Sequence, residues 1–322
     1  MRAHKRIINR VSCGLAAALF ASAAMAQTVG IVTTPAGSFS NSAGSAIAKV
    51  LVERAKLRAI VQAQAGTGFE EVDSGAADFN VSNSFDATFF ATGTGEYEGL
   101  GAKSTMRHVA NLLPYRVAMH VRADSNIHRI ADLKGKRLSS GFNAQKTIAR
   151  IIEAHLANGG LKWTDVIRVP APNVTRAADD FKSGKVDVLF FALGSAAVKE
   201  ASASVGGLRV IEVETSAEAL QGTQVILPGS YVITVNPAPA LDGISKPTQL
   251  IAFDMVMVAN AKVAEDTVYR TARALYEGKA DLVATFPPFA LFNPANMAKP
   301  VQGVPPHPGA TRFYREIGLI KN

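Results

Sequence analysis

The sequence of 322 residues contains a single cysteine, Cys13. One thiol excludes both a disulfide framework within the chain and a cluster of thiolate metal ligands. Charge is sparse as well. Charged residues make up 19% of the chain against 48% hydrophobic, with a mean hydropathy of +0.14, a balance that excludes a disordered or fibrous protein. Long apolar runs are missing. The stretch 250–261 is broken by Asp254 and Asn260, and the N-terminal run 14–26 falls short of the roughly 20 residues a membrane span needs. Catalytic signatures are missing too, with no G-x-S-x-G elbow, no H-E-x-x-H and no glycine-rich approach to Gly184-Lys185. Gly66-Thr67-Gly68 and Gly93-Thr94-Gly95 match only two glycines of a dinucleotide fingerprint and read as turns. His108, His120, His128, His155 and His307 never fall at i, i+4 spacing, so no helical metal pair is encoded. The sequence therefore calls for no cofactor, no metal and no catalytic residue.

What is present begins with a leader. Arg2, Lys5, Arg6 and Arg10 precede the apolar run, which ends in Ala24-Met25-Ala26 before Gln27, the pattern of a Sec signal cleaved after Ala26 into the periplasm. Cys13 lies before the apolar run, whereas a lipid-bearing cysteine follows it. Cleavage leaves 296 residues and no cysteine. The net charge falls from +8 to +4, because the leader holds four basic residues and no acidic one. So modest a charge, with no basic stripe interleaved with aromatics, argues against a nucleic-acid partner.

Beyond the leader, β-rich runs alternate with helix-period segments, the pattern of parallel strands joined by helical crossovers. TVGIVTT, RAIVQAQ and ADFNVSN read as strands of one βαβαβ unit. A second unit runs from YRVAMHVR through RLSSG, a helix closed by Gly159-Gly160, VIRVP and a further helix to VDVLFFA. YVITVN, FDMVMVAN, the helix AEDTVYRTARALYEG and TRFYREIGL follow as a return to the first unit. The expectation is an α/β protein of two lobes with a ligand cleft between them. Residues 27–115 and 222–322 would form lobe I, and residues 116–221 lobe II.

In open parallel sheets, ligands sit beyond the carboxyl ends of strands. Four such ends are small and polar: Thr34, Gly37, Ser38, Phe39 and Ser40 after the first strand, Asn83 and Ser84 after the third, Gln145, Lys146 and Thr147 in the second unit, and Gly194 and Ser195 after VDVLFF. Such turns offer free backbone N–H groups and hydroxyls to an anion. Each also has a plainer role. Thr34 and Ser38 can cap a helix, Asn83 and Ser84 can form a turn, and Lys146 can extend into solvent. Lys146 is the most pointed feature, because a cation at a helix start opposes the macrodipole unless an anion rewards it. Phe39 and Phe142 either flank a ligand or pack inward. Arg107, Arg116 and Arg122 bracket a strand linking the lobes and are surface charges or a carboxylate clamp.

The segment VRADSNIHRIADLKGKRLSSG closely resembles the V-R-x-D-S-x-I-x-x-I-x-D-L-K-G-K-R-V stretch of TAXI-type solute-binding proteins of TRAP transporters. VPPHPGATRFYREIGL resembles their P-x-H-P-G-A-x-x-Y-Y-R-E-x-G-L ending, and FKSGKVDVLFFALGSAAV their G-x-x-D-A-F-F strand. The resemblance runs from about Val29 to Leu319. It implies a type II periplasmic-binding-protein fold with hinge strands, a monomer that passes a small organic anion to a TRAP membrane subunit. The family's G-G-T-Y-Y-P loop matches Gly37, Ser38 and Phe39, with Ser40 and Asn41 replacing its second tyrosine and proline. Its Q-S-D corner becomes Asn83-Ser84-Phe85, losing a carboxylate, and its G-S-G-T corner becomes Ala144-Gln145-Lys146-Thr147, gaining a charge. These departures point away from a glutamate-like ligand toward a more acidic or larger one. The rival readings are a binding module feeding a membrane sensor kinase and a secreted α/β enzyme.

Overall fold

A computed structural model describes residues 27–321; the leader, Cys13 and the cleavage point lie outside the described residues. The first unit folds as read. Strands β1 (Thr28–Thr33), β2 (Arg58–Ala63) and β3 (Phe79–Asn83) alternate with helices α1 (Phe39–Glu53) and α2 (Phe69–Ser74). β1 lies between β2 and β3, parallel to both. Val29, Ile31, Phe79 and Val81 are fully buried, as expected of strands covered on their faces. Helix α3 (Ser84–Thr92) follows β3 directly, where the sequence suggests only a polar corner.

Strand β4 (Met106–Arg122) is nine residues longer than its sequence suggests. Pro114 conceals its first half, since a proline within an apolar run argues against a central strand. The second unit then runs through β5 (Arg137–Gly141), α4 (Thr147–Asn158), β6 (Ile167–Ala171), α5 (Val174–Lys182), β7 (Leu189–Ala192), α6 (Ala196–Val205), β8 (Leu208–Ile211) and α7 (Ala217–Ile226). The return consists of β9 (Tyr231–Val235), β10 (Thr248–Asn260), α8 (Glu265–Glu277), α9 (Lys279–Thr285) and α10 (Pro308–Glu316).

Two strands belong to both lobes. The C-terminal part of β10 pairs with β3, its N-terminal part with β9, and most of its length with β4. The far end of β4 pairs with β7 and β8, and β5 pairs with β6. The register of β4 on β10 slips beside Asp254, opposite Pro114, and again after Met257. Such bulges bend a strand pair, and Pro114 has no N–H to give at that point. The boundary expected at 221/222 falls inside α7. That helix is tied to α4 by the Asn158 amide, which donates to the carbonyl of Glu214 and to Thr223 Oγ1. Downstream of α7, β9 pairs with the N-terminal part of β10, before the register slip at Asp254.

The two most specific stretches of the sequence have structural work. In DLKGK, the Asp132 carboxylate accepts from the backbone N–H groups of His128 and Arg129, both at 2.9 Å, and Gly135 turns the chain at φ +72°. In HPGA, His307 caps α10. Its Nδ1 accepts from Gly309 N at 3.1 Å while Nε2 donates to the Val263 carbonyl at 3.1 Å, which fixes the tautomer. Pro308 then occupies the first helical position, where no N–H is needed.

Candidate functional site

The turn after β1 gathers three hydroxyls at the N-terminus of α1. Thr34 Oγ1 lies 2.7 Å from Ser38 Oγ and 2.5 Å from Ser40 Oγ, and Thr34 N donates to Ser40 Oγ. Ser38 also caps α1 by accepting from Asn41 N at 3.2 Å. Capping and clustering thus coexist, and all three side chains are buried. Gly37 sits at φ +82° and turns its carbonyl to Ala197 N of lobe II, 3.3 Å away. Phe39 points the other way, into the core, with its ring centroid 5.1 Å from that of Tyr115 and 4.9 Å from that of Phe286.

At the second corner Asn83 caps α3. Its Oδ1 accepts from Asp86 N at 2.8 Å while its Nδ2 donates to Asp86 Oδ2 at 2.5 Å. Asp86, which the sequence does not single out, lines the same cavity as Thr34, Ser38 and Ser40. The carboxylate counted as lost from Asn83-Ser84-Phe85 stands one residue further on, fully buried. The spacing of Asn83 and Asp86, a cap and an acid three residues later, is the signal that could have found it. Thr147 Oγ1 reaches across from lobe II to donate to Asp86 Oδ1, and the Tyr97 hydroxyl donates to the same oxygen at 3.3 Å. Burial outweighs these hydrogen bonds and pushes the Asp86 carboxyl up to about 6.

In lobe II, Gln145 is buried, and its Oε1 accepts from Val174 N at 2.9 Å, joining two turns of that lobe. Lys146 is exposed, its Nζ 5.4 Å from the Tyr97 ring centroid. Phe142 is wholly buried at φ +47°. Ser195 donates to the Ala192 carbonyl at 2.7 Å, and Gly194 turns the chain at φ +83°.

These corners converge. A cavity of about 30 Å³ lies between the lobes, lined on its polar side by Thr34, Ser38, Ser40, Asn83, Asp86 and Gln145. Tyr115, Phe190, Phe191 and Phe253 supply its apolar wall, and among the described residues no lysine, arginine or histidine lines it. Thr147 reaches it only through Asp86. Gly37, Phe39, Lys146, Gly194 and Ser195 lie outside its lining, Lys146 on a neighbouring groove of about 280 Å³ with Gly68, Tyr97 and Ala144. Ser84 and Phe85 line a third opening of about 340 Å³ beside Arg150 and Asp254. At that third opening, Arg150 Nε pairs with Glu96 Oε1 at 2.6 Å and its guanidinium lies over Phe89 at 5.3 Å. Among the described residues, no group of three or more His, Cys, Asp and Glu side chains is placed to hold a metal, and no helix is long and apolar enough to cross a membrane.

Comparison with solved structures shows the fold of periplasmic binding proteins. A periplasmic transporter structure aligns at a TM-score of 0.56, with 13% identity over 91% of this chain and 93% of that one. The alkanesulfonate-binding protein SsuA from Xanthomonas axonopodis pv. citri, bound to MOPS, aligns at 0.48 with 14% identity, over 90% and 84% of the two chains. The periplasmic aliphatic sulphonate binding protein SsuA from Escherichia coli aligns at 0.46 with 16% identity, over 83% and 78%. In sequence, the model of the NMT1-like family matches residues 31–318, nearly all of what the structure describes, and the chain belongs to that family.

Proposed function

We propose that the protein is a periplasmic solute receptor that captures a small organic acid between its lobes and delivers it to a TRAP membrane subunit, without turnover. The observation that carries the reading is the cluster of Thr34, Ser38 and Ser40 at the start of α1, facing Gln145 of lobe II across one shared cavity. Hydroxyls and free N–H groups at a helix N-terminus suit a carboxylate, and contacts from both lobes make ligand binding and closure the same event. The TRAP partner is supported by the DLKGK and HPGA stretches. Their structural roles lie away from the cleft, so they bear on family and not on ligand.

The cavity is the size of about one water molecule, so a carboxylate enters only when the lobes open at the β4–β10 bend. Shifting such an equilibrium from 1:99 to 99:1 takes ~5.5 kcal/mol of differential affinity, within reach of a few charge-assisted hydrogen bonds at ~1.5–3 kcal/mol each. A thermal-shift screen with mono-, di- and aromatic carboxylates tests the reading. A rise in melting temperature with at least one acid supports it, and a flat response to all of them overturns it. Ser40→Ala is expected to weaken the responding acid about tenfold or more in calorimetry, since one hydrogen bond to a charge is lost. Lys146→Met is expected to change the same affinity less than about threefold, because its solvated, screened charge lies outside the cavity. The reverse order would move the ligand to the outer groove.

A further inference from the structure

We propose that Asp86 makes capture of the organic acid proton-linked, so that each carboxylate enters the cleft together with one proton taken from solvent. The inference rests on the receptor reading above. Its basis is a conflict of charge. Asp86 shares a cavity of about 30 Å³ with the hydroxyl cluster that receives the ligand carboxylate, and among the described residues no cation lines that cavity. Two carboxylates confined in one desolvated site do not both stay ionised; they share a proton.

The groups that face Asp86 leave that conflict unrelieved. On its own helix α3 there is no other charged side chain. From the short turn after α3 come Glu96, a like charge, and Tyr97. From β4 comes Tyr115, and burial holds both tyrosine hydroxyls neutral, well above their usual range. From α4 come Thr147, which donates a hydrogen bond, and Arg150, whose guanidinium is committed to Glu96 at 2.6 Å. Lys146 is exposed over the Tyr97 ring and lines the neighbouring groove, not this cavity. The turn after β1 contributes hydroxyls and no charge. The balance is simple: a carboxylate with charge −1 and a proton with charge +1 enter, the proton bonds to Asp86 or is shared with the ligand oxygen, and no other bond changes. Asp86 already sits near 6, so the approach of an anion carries it through neutrality.

The test is titration calorimetry of the processed chain with acetate, succinate and benzoate, and with alanine, which brings its own ammonium. Each titration is run at pH 7.5 in phosphate and in Tris, whose ionisation enthalpies differ. The expected result is about one proton taken up per bound carboxylate, with affinity falling about tenfold per pH unit between pH 7 and 8. Asp86→Asn is expected to abolish both the proton uptake and the pH slope of whatever acid binding remains. Carboxylates that bind the unmodified chain without proton uptake overturn this inference and leave the receptor reading standing. So does alanine binding more tightly than the acids with no proton taken up. Failure of all four probes to bind overturns both. The two-buffer measurement on the unmodified chain decides the matter even if the variant does not fold.

Discussion

Gly309→Ala is expected to destabilise the protein by about 3 kcal/mol or more in urea unfolding, with the loss traceable to one atom. Gly309 follows the His307 cap and Pro308 at the start of α10, and its backbone lies directly against the N-terminal turn of α8. A Cβ there would enter the van der Waals shell of the Glu265 carbonyl oxygen and stand 3.0 Å from Tyr269 N. Both are backbone atoms of a neighbouring helix, so no side chain can swing away. Moving α10 outward would also separate the Phe313 ring from Tyr269 and Tyr276, each at 5.7 Å between centroids, and break the hydrogen bond from the Tyr314 hydroxyl to the Val109 carbonyl on β4. Gly135→Ala provides the contrast. Its φ of +72° disfavours a side chain but the space is open, so a cost of about 1–2 kcal/mol is expected. Equal losses at the two glycines would refute the steric account of Gly309.

The second large effect is on acid stability. His108, His120 and His155 are buried, and desolvation brings each down from 6.5 to about 4. In all three the Nε2 atom is buried without a partner among the described residues. His155 Nδ1 donates to the Ile151 carbonyl at 2.8 Å, so protonation would place a charge on an Nε2 with nothing to receive its hydrogen. These groups are depressed in the folded state. Between pH 6.5 and 4 the unfolded chain therefore binds more protons, and the stability they contribute is complete above 6.5 and lost as pH falls through 4. Asp86 has the opposite sign. Its folded value of about 6 exceeds its ordinary 3.8, so its own contribution weakens as pH rises from 4 to 6. A tenfold change in proton affinity is worth ~1.36 kcal/mol, so the three histidines together amount to roughly 10 kcal/mol against roughly 3 from Asp86. Unfolding near pH 5 should take up about two protons net, with stability falling about 3 kcal/mol per pH unit. Urea midpoints between pH 7.5 and 4.5 measure this. A flat profile would mean the histidines are solvated or partnered in the native state.

Much of the fold is legible because it is written in periodicity. The alternation of β1, α1, β2, α2 and β3, the glycine stop of α4 and the return through α8 all follow from the spacing of apolar residues. The turn after β1 is legible for the same reason, since Thr34, Ser38 and Ser40 carry both a cap and a possible ligand contact in one short run. Helix α3 is not legible. In SFDATFFAT apolar residues occupy every side, so no face announces itself, and with the helix hidden Asp86 is hidden too. Pro114 conceals half of β4 because its local meaning, the end of a strand, is overridden by pairing with β10. Lys146 draws attention through its charge, whereas the geometry puts it on the neighbouring groove. Local sequence carries the charge of a side chain but not which of two neighbouring grooves it lines.

The two shared strands also impose an order on folding. β3 and β4 have no central partner until β10 arrives, and the last residue of β10 is Asn260. A chain made from its N-terminus therefore holds two incomplete sheets with open edges until more than three-quarters of it exists. Pairings this distant in sequence form slowly, and exposed edges invite association with other chains. Neither lobe should survive as a separate fragment, and a growing or emerging chain should depend on being held apart from its neighbours until that one strand is in place.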